Sequence, residues 1–357
     1  MTFRVFFLLC LFPLSALADR IEQQAQTSVR AANSLLLDIV QAESRLIAVG
    51  EQGTVIYSDD SGQQWQQADV ESSVLLTAIT IADQHNYWAV GHDGVLLHSG
   101  DQGASWQLKM SGEQINQQRL ETLQMLEQRE QARSEPDEDA LENISYALEE
   151  AEYSLEDGAS VPLLDIEFID QNTGFILGGY GTLLRTADGG QSWSNIEFNS
   201  DNIDRFHLNA LMKQANGTLW ILGEAGLLLR SDDIGLSWQA EYSPYEGSWF
   251  AGAELDGLYL LGLRGNLYHS ATGDDWQPLD LNSEATINGA VAGQQSLWLV
   301  GQGGLLAHLE NGHFQLKKAP VRRSFSAGVN LGDHLILVGE GGVSRFDVAQ
   351  LNSGGDK

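Results

Sequence analysis

Seven times between Gly50 and Gly339 the chain repeats one phrase: a short apolar run, a glycine, a polar turn, a second glycine and another apolar run. The copies are "RLIAVGEQGTVIYS", "YWAVGHDGVLLHS", "GFILGGYGTLLRT", "LWILGEAGLLLRS", "LYLLGLRGNLYHS", "LWLVGQGGLLAHL" and "LILVGEGGVSRFD". Their leading glycines are separated by steps of 41, 87, 45, 39, 39 and 38 residues. Each copy reads as strand, tight turn, strand, with glycine supplying the positive φ of a two-residue hairpin. A further strand candidate precedes each copy ("LLTAITIAD", "LLDIEFID", "HLNALMKQ", "INGAVAGQ") and a Trp-led segment such as "SWQLKM" follows. Four antiparallel strands per period of about 40 residues is the signature of a propeller blade. The expected fold class is therefore all-β: a seven-bladed β-propeller of four-stranded antiparallel blades over residues 19–347, with 348–357 as a flexible tail. The last unit lacks a Trp-led strand, and the segment Asp19 to Asn33 is expected to supply it, close the ring and hide an edge.

Between the third and fourth strands of four blades stands the octet Ser/Thr-x-Asp-x-Gly-x-x-Trp. Its positions are filled by Ser58, Asp60, Gly62 and Trp65; by Ser99, Asp101, Gly103 and Trp106; by Thr186, Asp188, Gly190 and Trp193; and by Ser231, Asp233, Gly235 and Trp238. A fifth copy, "SATGDDW" from Ser270 to Trp276, is one residue short and has Thr272 in place of the aspartate. A carboxylate that accepts turn amides, a glycine in the left-handed region and an indole between sheets are turn and core duties rather than acid–base chemistry.

This octet is the Asp box, or BNR repeat, which in proteins that carry it, sialidases included, is a structural hairpin remote from the active site. The boxes, the "RTADGGQSW" form from Arg185 and the export leader described below together resemble the photosystem II stability/assembly factor family of BNR propellers, over roughly residues 34 to 347. The resemblance implies a non-enzymatic lumenal or periplasmic chaperone that holds a membrane protein during assembly. For relatives in non-photosynthetic bacteria it implies an association with membrane transport systems. Arg185 and Arg230 match the third-strand arginine of the family repeat; Tyr57, His98, His269 and His308 stand at the equivalent positions of other blades. The photosynthetic members share a basic face, whereas this chain has 49 acidic and 19 basic residues and a formal charge of −30.

Such a field repels phosphate backbones and anionic headgroups, so neither nucleic acid nor direct lipid binding is expected. "MTFRVFFLLCLFPLSALADR" sets one cation before an apolar run and a small-x-small end, which predicts a leader over residues 1–18 cleaved after Ala18 and a periplasmic or secreted mature chain. The single cysteine, Cys10, lies in that leader, so disulfides, thiolate metal sites and cysteine nucleophiles are not expected of the mature chain. The double step between the second and third phrases holds an insertion over 107–160 with 4 basic and 14 acidic residues. Helical spacing of Ile115, Leu123 and Leu126, then of Leu141, Ile144, Leu148 and Tyr153, predicts a helical hairpin that is either a solvated decoration or a docking arm. Within it Glu135, Asp137, Glu138 and Asp139 lack the ligand spacing and turn glycine of a calcium loop, so no metal or other cofactor is expected.

The innermost strands set Asp38, Thr77, Asp165, Asn209, Ala251, Asn288 and Ser326 at one level of the central channel, with Leu75, Leu163, His207, Trp249, Thr286 and Ser324 two residues ahead. Arg205, His207, Trp249, Phe250, Arg322 and Arg323 near the rim, with Arg185 and Arg230, are the candidate partner-binding residues. No catalytic residue is assigned: nucleophile elbow, phosphate loop and metal-helix motifs are missing from the sequence, as is the arginine cluster of a sialidase. The reading is a monomeric, non-enzymatic assembly or scaffold factor that docks an envelope membrane protein or transport complex. A sialidase-like glycosidase and a glycan- or peptide-binding propeller are the alternatives.

Overall fold

The computed structural model describes residues 20–158, 160–293 and 295–353. The expected leader, residues 1–18, and Asp19 lie outside them. Each repeated phrase forms the second and third strands of a blade, and the second strands are buried at nearly every position, as in Leu219–Gly223 and Leu297–Gly301. Burial on both faces explains why these runs are uniformly apolar rather than alternating. Blade 1 comprises Leu36–Ala42, Arg45–Gly50, Val55–Ser58 and Gln66–Gln67. Blades 3 to 6 repeat this four-stranded antiparallel order, beginning at Leu163, Leu208, Trp249 and Ile287. Blade 2, which starts at Leu76, gains a fifth strand, because Asp69–Val70 pairs parallel to Ser105 and Trp106 on its outer edge. Among the described residues, seven apolar clusters occupy the seven spaces between neighbouring blades. One, for example, joins Phe175 and Leu177 of blade 3 to Leu219 and Ile221 of blade 4.

Blade 7 has three strands, Phe325–Asn330, His334–Gly339 and Ser344–Asp347. The segment expected to complete it runs elsewhere. Ser73 N donates to Arg20 O, Ala25 N to Val70 O and Ser28 N to the Gln67 side chain, so residues 20–28 lie along the outer strand of blade 1 and the segment that leads from it into blade 2. Its sequence, "IEQQAQTS", has one residue, Ile21, to bury in the core and none of the alternation that would seat it as a strand. Closure comes one step later: Val343 N donates to Ala32 O (3.0 Å), Arg345 Nε to Ser61 O (3.2 Å), and Leu36, Ile39 and Leu46 of blade 1 pack with Ile336 and Val338 of blade 7. The expected flexible tail also begins as structure. Residues Val348–Ser353 form a helix that buries Leu351 against blades 6 and 7, and residues 354–357 lie outside the described region.

The two glycines of each phrase have different reasons. The second sits in a type I′ turn, at φ 68° for Gly53 after Gln52 at φ 55°, and both are left-handed as that turn demands. The leading glycine is not: Gly50 is extended at φ −177°. It is required because a Cβ there would lie 2.0 Å from Leu35 O, the carbonyl that heads the innermost strand. That carbonyl accepts Glu51 N at 2.9 Å, and the bond recurs in every blade, from His92 to Leu75 through Glu340 to Ser324.

A β-bulge at the same place corrects the expected channel level. Leu36 pairs with Gly50 but Asp38 with Val49, so Leu37 is the extra residue; its equivalents are Thr77, Leu164, Asn209, Phe250, Asn288 and Ser326. Asp38, Asp165 and Ala251 stand one residue further on. The two sets fasten each blade to the next by different bonds. Bulge residues donate to a carbonyl of the next blade: Thr77 Oγ1 to Leu163 O (2.7 Å), Asn209 Nδ2 to Trp249 O (2.8 Å) and Asn288 Nδ2 to Phe325 O (2.8 Å). The following aspartates accept an amide of the next blade: Asp38 from Ile79 N (2.9 Å) and Asp165 from Leu211 N (2.7 Å).

The boxes are hairpins that consume their own polar groups. In the first, Ser58 Oγ donates to Asp60 Oδ1 (2.8 Å) and accepts Gly62 N (2.9 Å), Gln64 N donates to Asp60 Oδ1 (2.8 Å), and Trp65 Nε1 donates to Gly62 O (3.2 Å). The hydroxyl–carboxylate–amide bonds recur at Asp101, Asp188 and Asp233, whereas the indole bond recurs at Trp106 but not at Trp193 or Trp238. At the fifth copy the Gly273 and Thr272 amides still donate to Ser270 Oγ, but the carboxylate bonds are lost, since Thr272 offers only a hydroxyl, 3.5 Å from Asp274 N. The Ser192 hydroxyl and amide, with the Thr186 hydroxyl, hold the Asp188 carboxyl down at about 2. At Asp233 burial works the other way, but the Ser237 amide and hydroxyl and the Ser231 hydroxyl prevail and bring it to about 2.

Two predictions follow from the backbone and the channel. Gly265 has φ 73° and an added Cβ would sit 1.9 Å from Ser283 O, whereas Gly217, at φ 95°, has open space around it. Gly265→Ala is expected to destabilise by more than about 3 kcal/mol and Gly217→Ala by only about 1–2 kcal/mol, read from urea unfolding midpoints. In the channel, burial raises Asp165 from 3.8 to about 6; burial and then the Asp165 charge raise Glu167 from 4.5 to about 8. The folded state binds these protons more tightly than the unfolded chain, so their stabilisation is complete at acid pH and is lost as pH rises through those values. The box aspartates act oppositely, losing theirs as pH falls from 3.8 towards 2. Stability is expected to decline from about pH 4, where the unfolded carboxyls titrate, to about pH 8, and Glu167→Gln to flatten that decline; an unchanged slope counts against the assignment.

Candidate functional site

Helix α1 (Gly112–Gln131) leaves the outer strand of blade 2, its first turn fixed by Ser111 N donating to Gln114 Oε1 (2.9 Å). Helix α2 (Glu138–Asp157) starts at Asp137, whose carboxylate accepts the Asp139 and Ala140 amides. Capping is thus the role of one carboxylate in the acidic run between the helices. The expected helical hairpin is present, beginning after Met110 because residues 107–110 complete blade 2. Ile115, Asn116, Arg119 and Leu123 form the buried face of α1, and Ala151 is the one buried residue of α2. Asn116 Nδ2 donates to Ser154 O (2.9 Å) and Gly158 O (3.1 Å), binding the two helices together.

The hairpin is held to blade 3 by a buried ion pair. Arg119 Nε donates to Glu197 Oε1 at 2.7 Å, with the two side chains 6% and 7% exposed. The other carboxylate oxygen of Glu197 accepts Asn195 Nδ2 (3.0 Å). Burial raises the Glu197 carboxyl, and the Arg119 charge opposes that shift. Arg119 Nη2 is 3.6 Å from Glu150 Oε2 and has no hydrogen-bond partner; Glu150 in turn meets Arg205 Nη1 at 3.1 Å. Arg205, left-handed at φ 55°, donates from Nε and Nη2 to Tyr180 O.

On either side of this Arg119–Glu150–Arg205 chain lies a cleft, of about 520 Å³ towards Tyr153 and Tyr180 and about 450 Å³ towards Ile144, Phe198 and Ile203. Their rims carry large apolar side chains turned to solvent. Ile203 is 90% exposed, Tyr146 61%, Tyr153 60%, Tyr180 56% and Phe198 38%, and these are five of the eleven exposed large hydrophobics among the described residues. Monomeric surfaces scatter such residues singly; their collection around one polar-rimmed cleft is the mark of an interaction site. The chemistry available is binding: apolar contact over two compensated guanidinium groups.

The structure brings two of the expected partner-binding residues to this place. Arg205 bridges the clefts, and His207 lies beside them with its ring 5.1 Å from Tyr180 and Nδ1 3.2 Å from Glu224. The others are dispersed. Trp249 is fully buried and donates from Nε1 to Ser243 Oγ, so it is a core residue and not a rim aromatic. Phe250 is the bulge residue of blade 5 and lines the channel. Arg323 is bound to Gly341 O, Val343 O and Ser344 Oγ within blade 7, while Arg322 is exposed. Arg185 and Arg230 are cross-strand partners of Phe175 and Trp220 and lie 5.9 and 5.7 Å from those rings. His98, His269 and His308 make the same pairing with Trp88, Tyr259 and Trp298. The third-strand position is thus a stacking position within the blade.

Arg119, Tyr146, Glu150, Tyr180, Glu197, Phe198 and Ile203 were not singled out from sequence. A local signal existed for two regions. Tyr180 is the aromatic at a turn position filled elsewhere by Gln52, Asp93, Ala225, Arg264 and Gly303, and "EFNSDNID" interrupts the usual passage from box to blade.

Residues 148–242, from within α2 through blade 4, match the family profile described as Photosynthesis system II assembly factor YCF48. The chain is similar in structure to YCF48 bound to D1 peptide, at 15% identity and a TM-score of 0.62 over 91% of this chain and 96% of that one. It is similar to YCF48 from Cyanidioschyzon merolae at 14% identity and TM-score 0.61, over 91% and 98%. The WD40 propeller domain of Doa1 follows at 11% identity and TM-score 0.57, over 91% and 95%. No curated protein matches the chain in sequence. The structural likenesses establish the propeller fold, and with the profile match they uphold the resemblance to photosystem II assembly factors read from the boxes.

If the Arg119–Glu197 pair anchors the hairpin, Arg119→Met leaves a buried carboxylate uncompensated and releases the helices. Amide hydrogen exchange across 112–157 is expected to accelerate by roughly tenfold or more while blades 5 and 6 are unchanged, and Arg119→Met/Glu197→Met to restore part of the protection.

Proposed function

We propose that this chain is a non-enzymatic, exported docking factor that holds an extramembranous segment of an envelope membrane protein in the clefts between the helical hairpin and blades 3 and 4. The observation that carries the reading is the ring of five exposed apolar side chains around the buried Arg119 and the bridging Arg205. Support comes from the matched stretch 148–242, which contains Glu150, Tyr153, Tyr180, Phe198, Ile203 and Arg205 though not Arg119 or Tyr146, and from a YCF48 structure whose partner is a peptide.

The occupant is an apolar segment flanked by basic residues. Apolar contact comes from Phe198, Ile203 and the tyrosines. The basic flank answers the field of a chain at −30, of which the insertion supplies 14 acidic residues. Electrostatic complementarity of this kind governs encounter rate and partner choice more than final affinity, so capture is fast and salt-sensitive while retention depends on the apolar rim. A hairpin anchored at one buried ion pair and presenting its second helix to the cleft serves as the movable wall of such a clamp. The box carboxylates, each engaged by its own turn, are unavailable as acid–base pairs, which favours docking over glycoside hydrolysis. The function requires export, and the leader over residues 1–18 supplies it.

A photo-crosslinking residue placed at Ile203 is expected to capture one membrane protein from its native envelope, in a way that Phe198→Asp abolishes and high salt slows. The same residue at Ile234, 56% exposed on the box hairpin of blade 4 and outside the lining of both clefts, is expected to capture nothing. Equal capture at both positions, or none at Ile203, defeats the docking assignment.

A further inference from the structure

Blade 7 lies across the ring from the docking clefts, and among the described residues it is the one blade without a fourth strand. The cause lies in how each blade supplies an apolar knob. Trp106, Trp193, Trp238 and Trp276 close the box hairpins of their blades, and each packs in the space between its own blade and the one before. Blade 7 has no box. Leu351 fills the corresponding space between blades 6 and 7, and it arrives on the helix Val348–Ser353. A box hairpin turns the chain back along the third strand; this helix does not, so no strand lies on the outer edge of Ser344–Asp347.

The open edge is centred on Arg345. This residue pairs with Ile336 as Arg185 pairs with Phe175 and Arg230 with Trp220, so it holds the third-strand position of its blade. In the other six blades that position also has a partner in the fourth strand, as Tyr57 has Gln66 and His308 has Gln315. Four of those fourth strands are only two residues long, so a short segment is a full complement. Two residues before this position, Leu228 O accepts the amide that follows its fourth strand, Glu241 N, at 3.0 Å. At blade 7 the matching carbonyl, Val343 O, is taken by Arg323 Nη2 (3.2 Å), which also bonds to Ser344 Oγ (2.6 Å). The head of the slot is thus closed by a guanidinium. The slot is open at Arg345, which is exposed where its six counterparts are half-buried.

An edge strand offers its outward N–H and C=O groups to any further strand; charge decides which one. Arg345 donates from Nε to Ser61 O (3.2 Å), and neither it nor Arg323 has an ion-pair partner among the described residues. The acidic groups beside them are already engaged, Asp347 by the Gln350 amide (3.0 Å) and Glu340 by the Ser324 amide (3.0 Å). From Asn311 to Gly332 the chain carries Lys317, Lys318, Arg322 and Arg323 and no acidic residue. In a chain of charge −30 this edge is therefore a basic place, the reverse of the field around the docking clefts.

We infer that the outer edge of blade 7 takes, as its fourth strand, an extended segment of another protein that sets an acidic side chain opposite Arg345. Main-chain bonds to Arg345 hold such a segment, and the cross-strand ion pair selects it. Residues 20–28 of the chain itself are held along blade 1 and its exit, so they do not fill the place. A second copy would bring two chains of charge −30 edge to edge, with Arg345 opposite Arg345 in the register centred on that residue.

The test titrates the intact protein with the labelled peptide TVTEVT by fluorescence anisotropy, beside TVTKVT and beside TVTEVT N-methylated at the glutamate, which removes the amide that would pair with Arg345 O. TVTEVT is expected to saturate, the lysine peptide to bind roughly three- to tenfold more weakly and the N-methyl peptide roughly tenfold or more. Arg345→Glu is expected to reverse the order of TVTEVT and TVTKVT. Bound TVTEVT is expected to slow hydrogen exchange at the Arg345 amide and leave the Arg185 amide unchanged. Equal binding of TVTEVT and TVTKVT overturns the acidic requirement. Full affinity of the N-methyl peptide, or unchanged exchange at Arg345, overturns strand addition. Failure of every peptide to bind a protein whose melting curve is normal leaves Arg345 as a guard of the edge and overturns the site. A dimer that Arg345→Glu dissociates, seen by sedimentation, gives the edge to a second copy and overturns the assignment to another protein.

Discussion

Where the second strand of each blade ends, its last glycine lies against the carbonyl that heads the innermost strand, and there is no volume for even a methyl group. That contact sets the radius at which backbone can turn around the channel. Because the glycine yields its side chain, the next amide reaches the carbonyl, and the bulge that follows rotates the innermost strand so that one polar side chain faces the neighbouring blade. Thr77, Asn209 and Asn288 use that rotation to donate, and Asp38 and Asp165 to accept. Non-directional packing fills the seven spaces between blades; these short directional bonds define which blade meets which.

The same economy of polar groups governs the surface. In a chain of charge −30, several carboxylates have work inside the fold: at the Asp boxes, at the start of α2 and across the bulges. The hairpin alone carries 14 of the 49 acidic residues, and it borders a cleft with an apolar rim. The guanidinium groups that a reading by family resemblance would place on a binding face are spent on stacking, Arg185 on Phe175 and Arg230 on Trp220, and those on the functional cleft come from the insertion and from the loop ahead of blade 4.

The architecture was legible in the sequence because the determinants of a blade are local: an apolar run, a turn glycine and a box recur within one period. Four things were not. The bulge has no signature of its own, and without it the strand count is off by one; that is why Trp249 was assigned to the rim although it is core, and why Asp38 and Asn209 were set at one level. The course of residues 20–28 was misread because polar sequence is compatible with any exposed edge. The positive φ of the turn was assigned to glycine without saying which of the two, since sequence does not distinguish conformational need from lack of space. The cleft beside the hairpin was invisible because Arg119 and Glu197 are 78 residues apart, and a buried ion pair between distant segments leaves no periodic trace in either.

The route by which the ring closes has a consequence for the order of events in the cell. Val343 on Ala32, and Arg345 on Ser61 at a separation of 284 residues, join the last blade to the first. Bonds of such sequence separation form late, after the entropy of closing the whole chain has been overcome. The middle blades can pair with their neighbours as they emerge, but the first blade has an unfilled flank until the final strands arrive. Commitment to the native ring therefore waits until blade 7 has been made, and until then the apolar flank formed by Leu36, Ile39 and Leu46 has no partner sheet.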